Sequence, residues 1–286
     1  MHGLKQWARD TLRALKASRA RRLPPPEVIE DPRDAIVRFS RGERVAMAGP
    51  IEDCVIFNGL SFASRGFHPF AAAADELLAS PGQGYQGSCL QAYYARWQPA
   101  DALEALIGAP TGPAVLRSYP PYLMLAPWLD ISIEDRLEWI HKTMRWEGKE
   151  PGGEAMGPED GHGLQGPVSE RKGAAEHARL KNVLDSVRSR GYDRREGDLA
   201  AQVLVRGTEL RFRIVHGHHR AGAVRALGAD TFIVQPSAVI EIEAIDQWRH
   251  VRSGAWSRTQ AEAYFHHHFD FDSGAWARGL GLGKAN

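Results

Sequence analysis

Cysteine is scarce: Cys54 and Cys89 are the two in 286 residues, far apart and outside any CxxC pairing. That pattern argues against a disulfide scaffold and against a cysteine zinc or redox motif, and it fits a reducing compartment. No run of about 18 apolar residues occurs, so no membrane-spanning helix is expected. The N-terminal segment lacks the apolar core of a secretory signal, and the expected location is the cytoplasm. An excess of one charge is missing too, since 36 Lys and Arg face 35 Asp and Glu for a net +1. A chain that coats nucleic acid would carry a strong basic excess, so nucleic acid is disfavoured as a partner. There are no internal repeats. With 43% hydrophobic and 25% charged residues, the composition is that of a folded protein with a sizeable core.

Residues 1–26 read as a basic amphipathic helix followed by a proline linker. Leu4, Trp7, Leu12 and Leu15 lie on one stripe, while Lys5, Arg9, Arg13 and Lys16 face mostly elsewhere. Such a helix either contacts the inner membrane face peripherally, with its cations on anionic lipid, or docks on the body of the protein. Residues 27–146 read as an N-terminal α+β region. Strands are expected at Ala35 to Phe39, Val45 to Met47 and Cys54 to Phe57, the first two flanking a turn at Arg41-Gly42-Glu43. Helices are expected at Phe70 to Ala79, at Asp101 to Ile107, and after a Ser132 cap with Leu137, Ile140 and Met144 on one face. Tyr85, Tyr93, Tyr94 and Trp97, with Gln86, Ser88 and Gln91 among them, either pack a core or line a substrate pocket. Residues 147–167 are rich in glycine and proline and mark a domain boundary or a lid.

The sharpest order lies in residues 168–286. A helix is expected from Ala174 to Arg190, stopped by Gly191, then strands at Ala201 to Val205 and Leu210 to Val215. His216-Gly217-His218-His219-Arg220 follows, leading into a helix from Ala221 to Leu227 and a strand from Thr231 to Val234. Strand, glycine turn and helix start make an anion site in principle, because the first amides of a helix are unpaired and its dipole favours negative charge. Gly217 allows close backbone approach, Arg220 offers a donor fork matched to phosphate, and His218 and His219 add further donors. Arg179, Asn182 and Ser186 share one face of the preceding helix, as a ligand face or as a solvated one. His266-His267-His268 with Asp270 and Asp272 invites a metal reading. Consecutive helical histidines diverge by about 100°, however, and a polar helix end explains them equally well. Trp248, Trp256, Tyr264, Phe265 and Phe269 read as a helical C-terminal arm packed on the domain.

The ordered set Leu184-Asp185-Ser186-Val187 to Gly191, Val203-Leu204-Val205, Phe212-Arg213-Ile214-Val215, Gly217-His218-His219-Arg220 and Ala223 to Gly228 resembles the ParB/sulfiredoxin superfamily over residues 168–234. The resemblance implies an α+β fold with a nucleotide-binding C-terminal domain. It implies phosphate contacts from Gly217, His219 and Arg220, and from Arg179, Asn182 and Ser186. Sulfiredoxins need a cysteine where His218 stands, so sulfinic-acid reduction is not expected. Partition proteins append a DNA reader and a dimerisation tail, for which Ala238 to Asn286 is too short and too aromatic. Free-serine kinases carry Asp-Gly-His-His-Arg, matched here from Gly217 to Arg220 but with His216 at the aspartate. The expected activity is phosphate transfer from ATP or ADP, with Mg²⁺, to a small hydroxylated metabolite. CTP is a further nucleotide candidate. Glu170, Glu176 and His218 are the candidate catalytic groups, and Lys172 a candidate phosphate contact. The alternatives are a nucleotide-gated switch without chemistry and, less favoured, a nucleic-acid-binding or nuclease-like protein.

Overall fold

The computed structural model describes residues 24–107, 112–147 and 156–282. The N-terminal amphipathic helix and the first half of the expected lid lie outside the described residues. Six strands form one mixed sheet among the described residues: β1 (Val28–Ile29), β2 (Ala46–Pro50), β3 (Cys54–Val55), β4 (Leu199–Arg206), β5 (Glu209–His216) and β6 (Thr231–Glu241). Their spatial order is β1-β2-β6-β4-β5-β3. β4 and β5 are an antiparallel hairpin turning at Gly207-Thr208, with β6 parallel to β4 and β3 parallel to β5. Strands from both sides of residues 147–167 therefore share one sheet. The chain is a mixed α/β protein.

Alternation along the hairpin sorts side chains to two faces. Ala201, Val203, Phe212 and Ile214 join one core, and Leu204 joins another. The first face is covered by α2 (Pro69–Ala79), α3 (Cys89–Arg96), α5 (Glu170–Arg190) and α6 (His218–Ala226). Over the second lie Trp128, α7 (Arg249–Arg252) and α8 (Arg258–Asp270), with α4 (Ile133–Glu147) at its border. There Trp248, Trp256, Tyr264 and Phe265 are buried, so the aromatic arm is core. A last helix, α9 (Ser273–Gly279), returns to the first face through Trp276 and Ala277. Among the described residues no helix is long and apolar enough to cross a membrane.

Three sequence expectations are corrected. Ala35 to Phe39 is not a strand but part of helix α1 (Pro32–Ser40), because Asp31 caps the Arg33 amide at 2.8 Å and Pro32 opens the first turn. The β-branched pair Ile36-Val37 suggested a strand, yet Ala35, Ile36 and Phe39 pack at helical spacing. Asp101 to Ile107 closes only one 3-10 turn, Glu104–Leu106. The strand at Thr231 runs on to Glu241: a register shift opposite Ala201/Gln202 leaves Ser237, just after Pro236, as the extra residue, and the Ser237 hydroxyl donates to the Ala201 carbonyl.

Candidate functional site

Two helices begin earlier than periodicity alone suggests, and these added turns build the site. α5 starts at Glu170 because the Ser169 hydroxyl accepts from the Lys172 amide at 3.2 Å. Lys172 and Glu176 thereby become i, i+4 neighbours, with Nζ 2.6 Å from Oε1 and both side chains buried. α6 starts at His218, directly after Gly217, whose φ of 92° is open to glycine without strain. A Cβ at Gly217 would also meet Leu199 Cδ2 at 2.6 Å. Gly217 offers no capping side chain, so none closes the first turn of α6. That turn aims His219 at α5, where Nε2 lies 2.7 Å from Glu176 Oε2, too bent for a straight hydrogen bond. Burial pushes the Glu176 carboxyl up, but His219 and then Lys172 outweigh it and hold the group well below the usual carboxylate range. Glu176 is a buried anion between two basic side chains.

Histidines surround this pair. His219 stacks on Phe70 with centroids 4.1 Å apart, and His218 lies parallel to His68 at 6.3 Å. His68 caps α2, its Nδ1 accepting from the Phe70 amide, which leaves Nε2 buried without a hydrogen-bond partner. His218 Nδ1 is likewise buried and unpartnered. Burial pulls the His218 pKa from 6.5 down to about 3, helped by His216 and His219. Burial and then Lys172 bring His162 down to about 4. Both rings are neutral at pH 7. The segment carrying His162 is strapped down: Tyr93 and Tyr94 donate to the carbonyls of Leu164 and Gly163 at 2.8 and 2.5 Å. Gly163 is needed there, since a Cβ would sit 2.6 Å from Glu176 Cδ.

Two further cations border the cluster. Arg213, on β5, is 4% exposed and donates through Nη1 to Gln202 Oε1, which also accepts from Trp128 Nε1. Its Nε has no partner. Arg136, on α4, lies 4.6 Å from the centroid of the Trp139 ring, and its Nε is also buried and unpartnered. Burial and then the Arg213 charge lower the Arg136 pKa to about 10. Arg213 bears electrostatically on His218, and Arg136 on His162. The cluster therefore holds three cations to one carboxylate. Its field favours an anion.

The expected site residues divide. Lys172, Glu176, His218, His219 and Gly217 come together. Arg220 turns aside: its guanidinium donates to the carbonyls of Gly197 and Glu196 and lies 5.8 Å from the centroid of the Tyr192 ring. Glu170 is exposed at the start of α5 and accepts from Gln86. On the outer part of α5, Asn182 is exposed, Ser186 accepts from Arg190, and Arg179 is half-buried. Tyr93 and Tyr94 are core residues with bonded hydroxyls. His267 and His268 contact the carbonyls of Asn58 and Tyr264 at 2.9 Å. Among the described residues no three His, Cys, Asp or Glu side chains converge to hold a metal ion. His68, His162, Arg136 and Arg213 were absent from the sequence expectations. Arg213 carried a signal: in Phe212-Arg213-Ile214 it is an arginine inside an apolar strand, and such a residue needs an internal partner. The other three take their place from tertiary packing. No protein-family model, curated protein or solved structure matches this chain.

Proposed function

We propose that this chain binds a nucleotide, ATP or ADP with CTP as a further candidate, and transfers a phosphoryl group to a small hydroxylated metabolite. The observation that carries this reading is the start of α6. An uncapped helical turn beginning at Gly217 lies against the buried Lys172–Glu176–His219 cluster, with His218 Nδ1 unpartnered beside it. The resemblance of residues 168–234 to the ParB/sulfiredoxin superfamily supports it independently of that geometry.

In this proposal the α6 amides and Lys172 hold phosphate oxygens, and His219 keeps its place through Glu176. Mg²⁺ would neutralise phosphate charge and arrive on the phosphates, as the described residues supply no cage of their own. His218, neutral at pH 7, accepts the hydroxyl proton of the acceptor. The new O–P bond forms as the bridging P–O bond to the nucleotide breaks. A bound phosphate raises the basicity of His218 above its ligand-free value, since a nearby anion stabilises the imidazolium. Glu176, doubly engaged, positions His219 and Lys172. Arg220 pins the turn at 196–197 against α6.

Calorimetric titration of the full chain with ATP, ADP and CTP in the presence of Mg²⁺ tests binding. One of the three is expected to bind at one site, and His219→Gln to weaken it about tenfold, a loss of about 1.4 kcal/mol. Phosphorus NMR with ATP and a panel of hydroxylated metabolites then seeks a new phosphomonoester. Failure of all three nucleotides to bind ends the proposal. Nucleotide consumption without a phosphomonoester replaces transfer by a nucleotide-gated switch.

A further inference from the structure

Arg136 and Arg213 are the part of the cluster that phosphate binding at α6 does not use. Arg213 is almost fully buried, yet no carboxylate lies within ion-pair distance of it, or of Arg136, among the described residues. The side-chain partners of Arg213 are neutral groups: Nη1 donates to the Gln202 amide, the Tyr264 hydroxyl interacts with it, and the Trp128 ring lies 5.7 Å away. Arg136 approaches from α4, a different element, and also contacts a neutral group, the Trp139 ring. Each guanidinium keeps a buried N–H without an acceptor. Desolvated cations of like sign in mutual electrostatic range are costly, and chains ordinarily pair them with acid or with a ligand anion. Here the acid is missing, and the planar donor forks suit the two oxygens of a carboxylate or phosphate. Arg136 bears electrostatically on His162 and Arg213 on His218, which ties this pair to the neighbourhood of the Lys172–Glu176–His219 cluster.

We propose that Arg136 and Arg213 form an oxyanion subsite and that the acceptor is anionic, its carboxylate or phosphate held there while its hydroxyl faces His218. The word acceptor rests on the phosphotransfer reading; the subsite rests on the two guanidiniums alone. One anionic group belongs to the nucleotide and the other to its partner.

The test uses the full chain saturated with ADP and Mg²⁺, titrated calorimetrically with inorganic phosphate and, separately, with glycerate at constant ionic strength. At least one of the two is expected to bind at a single site, and the tighter one tells a phosphorylated acceptor from a hydroxy acid. Arg136→Gln is expected to weaken that binding tenfold or more while its circular dichroism matches wild type. If R136Q does not fold, Arg136→Lys gives the same comparison, because it keeps the charge and loses the fork. Unchanged oxyanion affinity in the variant, or no binding of either oxyanion by wild type, overturns the subsite. If ADP itself does not bind, the phosphotransfer reading fails, and the oxyanion titrations without nucleotide still decide the subsite.

Discussion

Glu176 is the residue on which the site's electrostatics turn. It is buried, with Lys172 at 2.6 Å and His219 at 2.7 Å. Glu176→Gln removes the anion and leaves a buried ammonium unpaired, so a loss of about 3–5 kcal/mol is expected in urea unfolding. Combining it with Lys172→Met relieves that penalty, so the double variant is expected to be more stable than Glu176→Gln alone. Equal stability of wild type and Glu176→Gln would mean that the pair is a solvated surface contact. Legibility at this scale was partial. His218 and His219 stood out beside a glycine turn, and Lys172 and Glu176 as charges before and into the preceding helix. Which of them touch was hidden, because sequence spacing does not tell how α6 meets α5.

At the scale of elements, the segment before α5 decides whether the cluster is closed. Asp160 is 3% exposed and accepts from Arg171 Nε and Nη2 at 2.6 and 2.7 Å, from the Ser169 hydroxyl at 2.6 Å, and from the Gly157 amide at 3.0 Å. Arg171 and the other donors hold its carboxyl well below the usual range. This one side chain fastens residues 157–160 to the first turn of α5. Asp160→Asn keeps the shape and loses the charge, with an expected cost of about 1.5–3 kcal/mol. Limited proteolysis is expected to cut between residues 156 and 168 faster in the variant than in wild type; equal rates would show that Tyr93 and Tyr94 alone hold the segment. The glycine and proline content of 147–167 suggested a domain boundary or a lid. Its described part from residue 156 on is strapped down, because a buried carboxylate and two tyrosine hydroxyls meet its backbone.

For the whole molecule, the buried histidines set the response to pH. His218 and His162 have pKa values pulled from 6.5 to about 3 and about 4, chiefly by burial, and His68 lies well below 6.5 for the same reason. In the unfolded chain each binds a proton as pH falls through 6.5, while in the folded protein each stays neutral. Stability therefore falls with pH below 6.5, by up to about 1.4 kcal/mol per unit for each such ring, until its folded value is reached. Glu176 and Asp160, both depressed, act with the same sign at lower pH: their stabilisation is present above the ordinary carboxylate range and is lost below it. Urea unfolding from pH 8 to pH 5 is expected to show a plateau above 7 and a steady decline below 6.5. His162→Gln is expected to make that decline shallower. A stability that rises on acidification would contradict neutral, buried rings.

Local chemistry alone specified the β4–β5 hairpin, the body of α5, and the glycine turn leading into α6, because alternation, helical period and Gly217 act over a few residues. Ile36 and Val37 show where local preference yields to a neighbour's cap and to packing. The joining of β1, β2 and β3 to the same sheet as β4–β6 required long-range pairing that no local pattern encodes. So did the meeting of Arg136, Arg213, His68 and His162 around the Lys172–Glu176–His219 cluster. Those side chains come from four elements and two connecting segments, and only burial in one interior turns ordinary basic residues into a concentrated positive field.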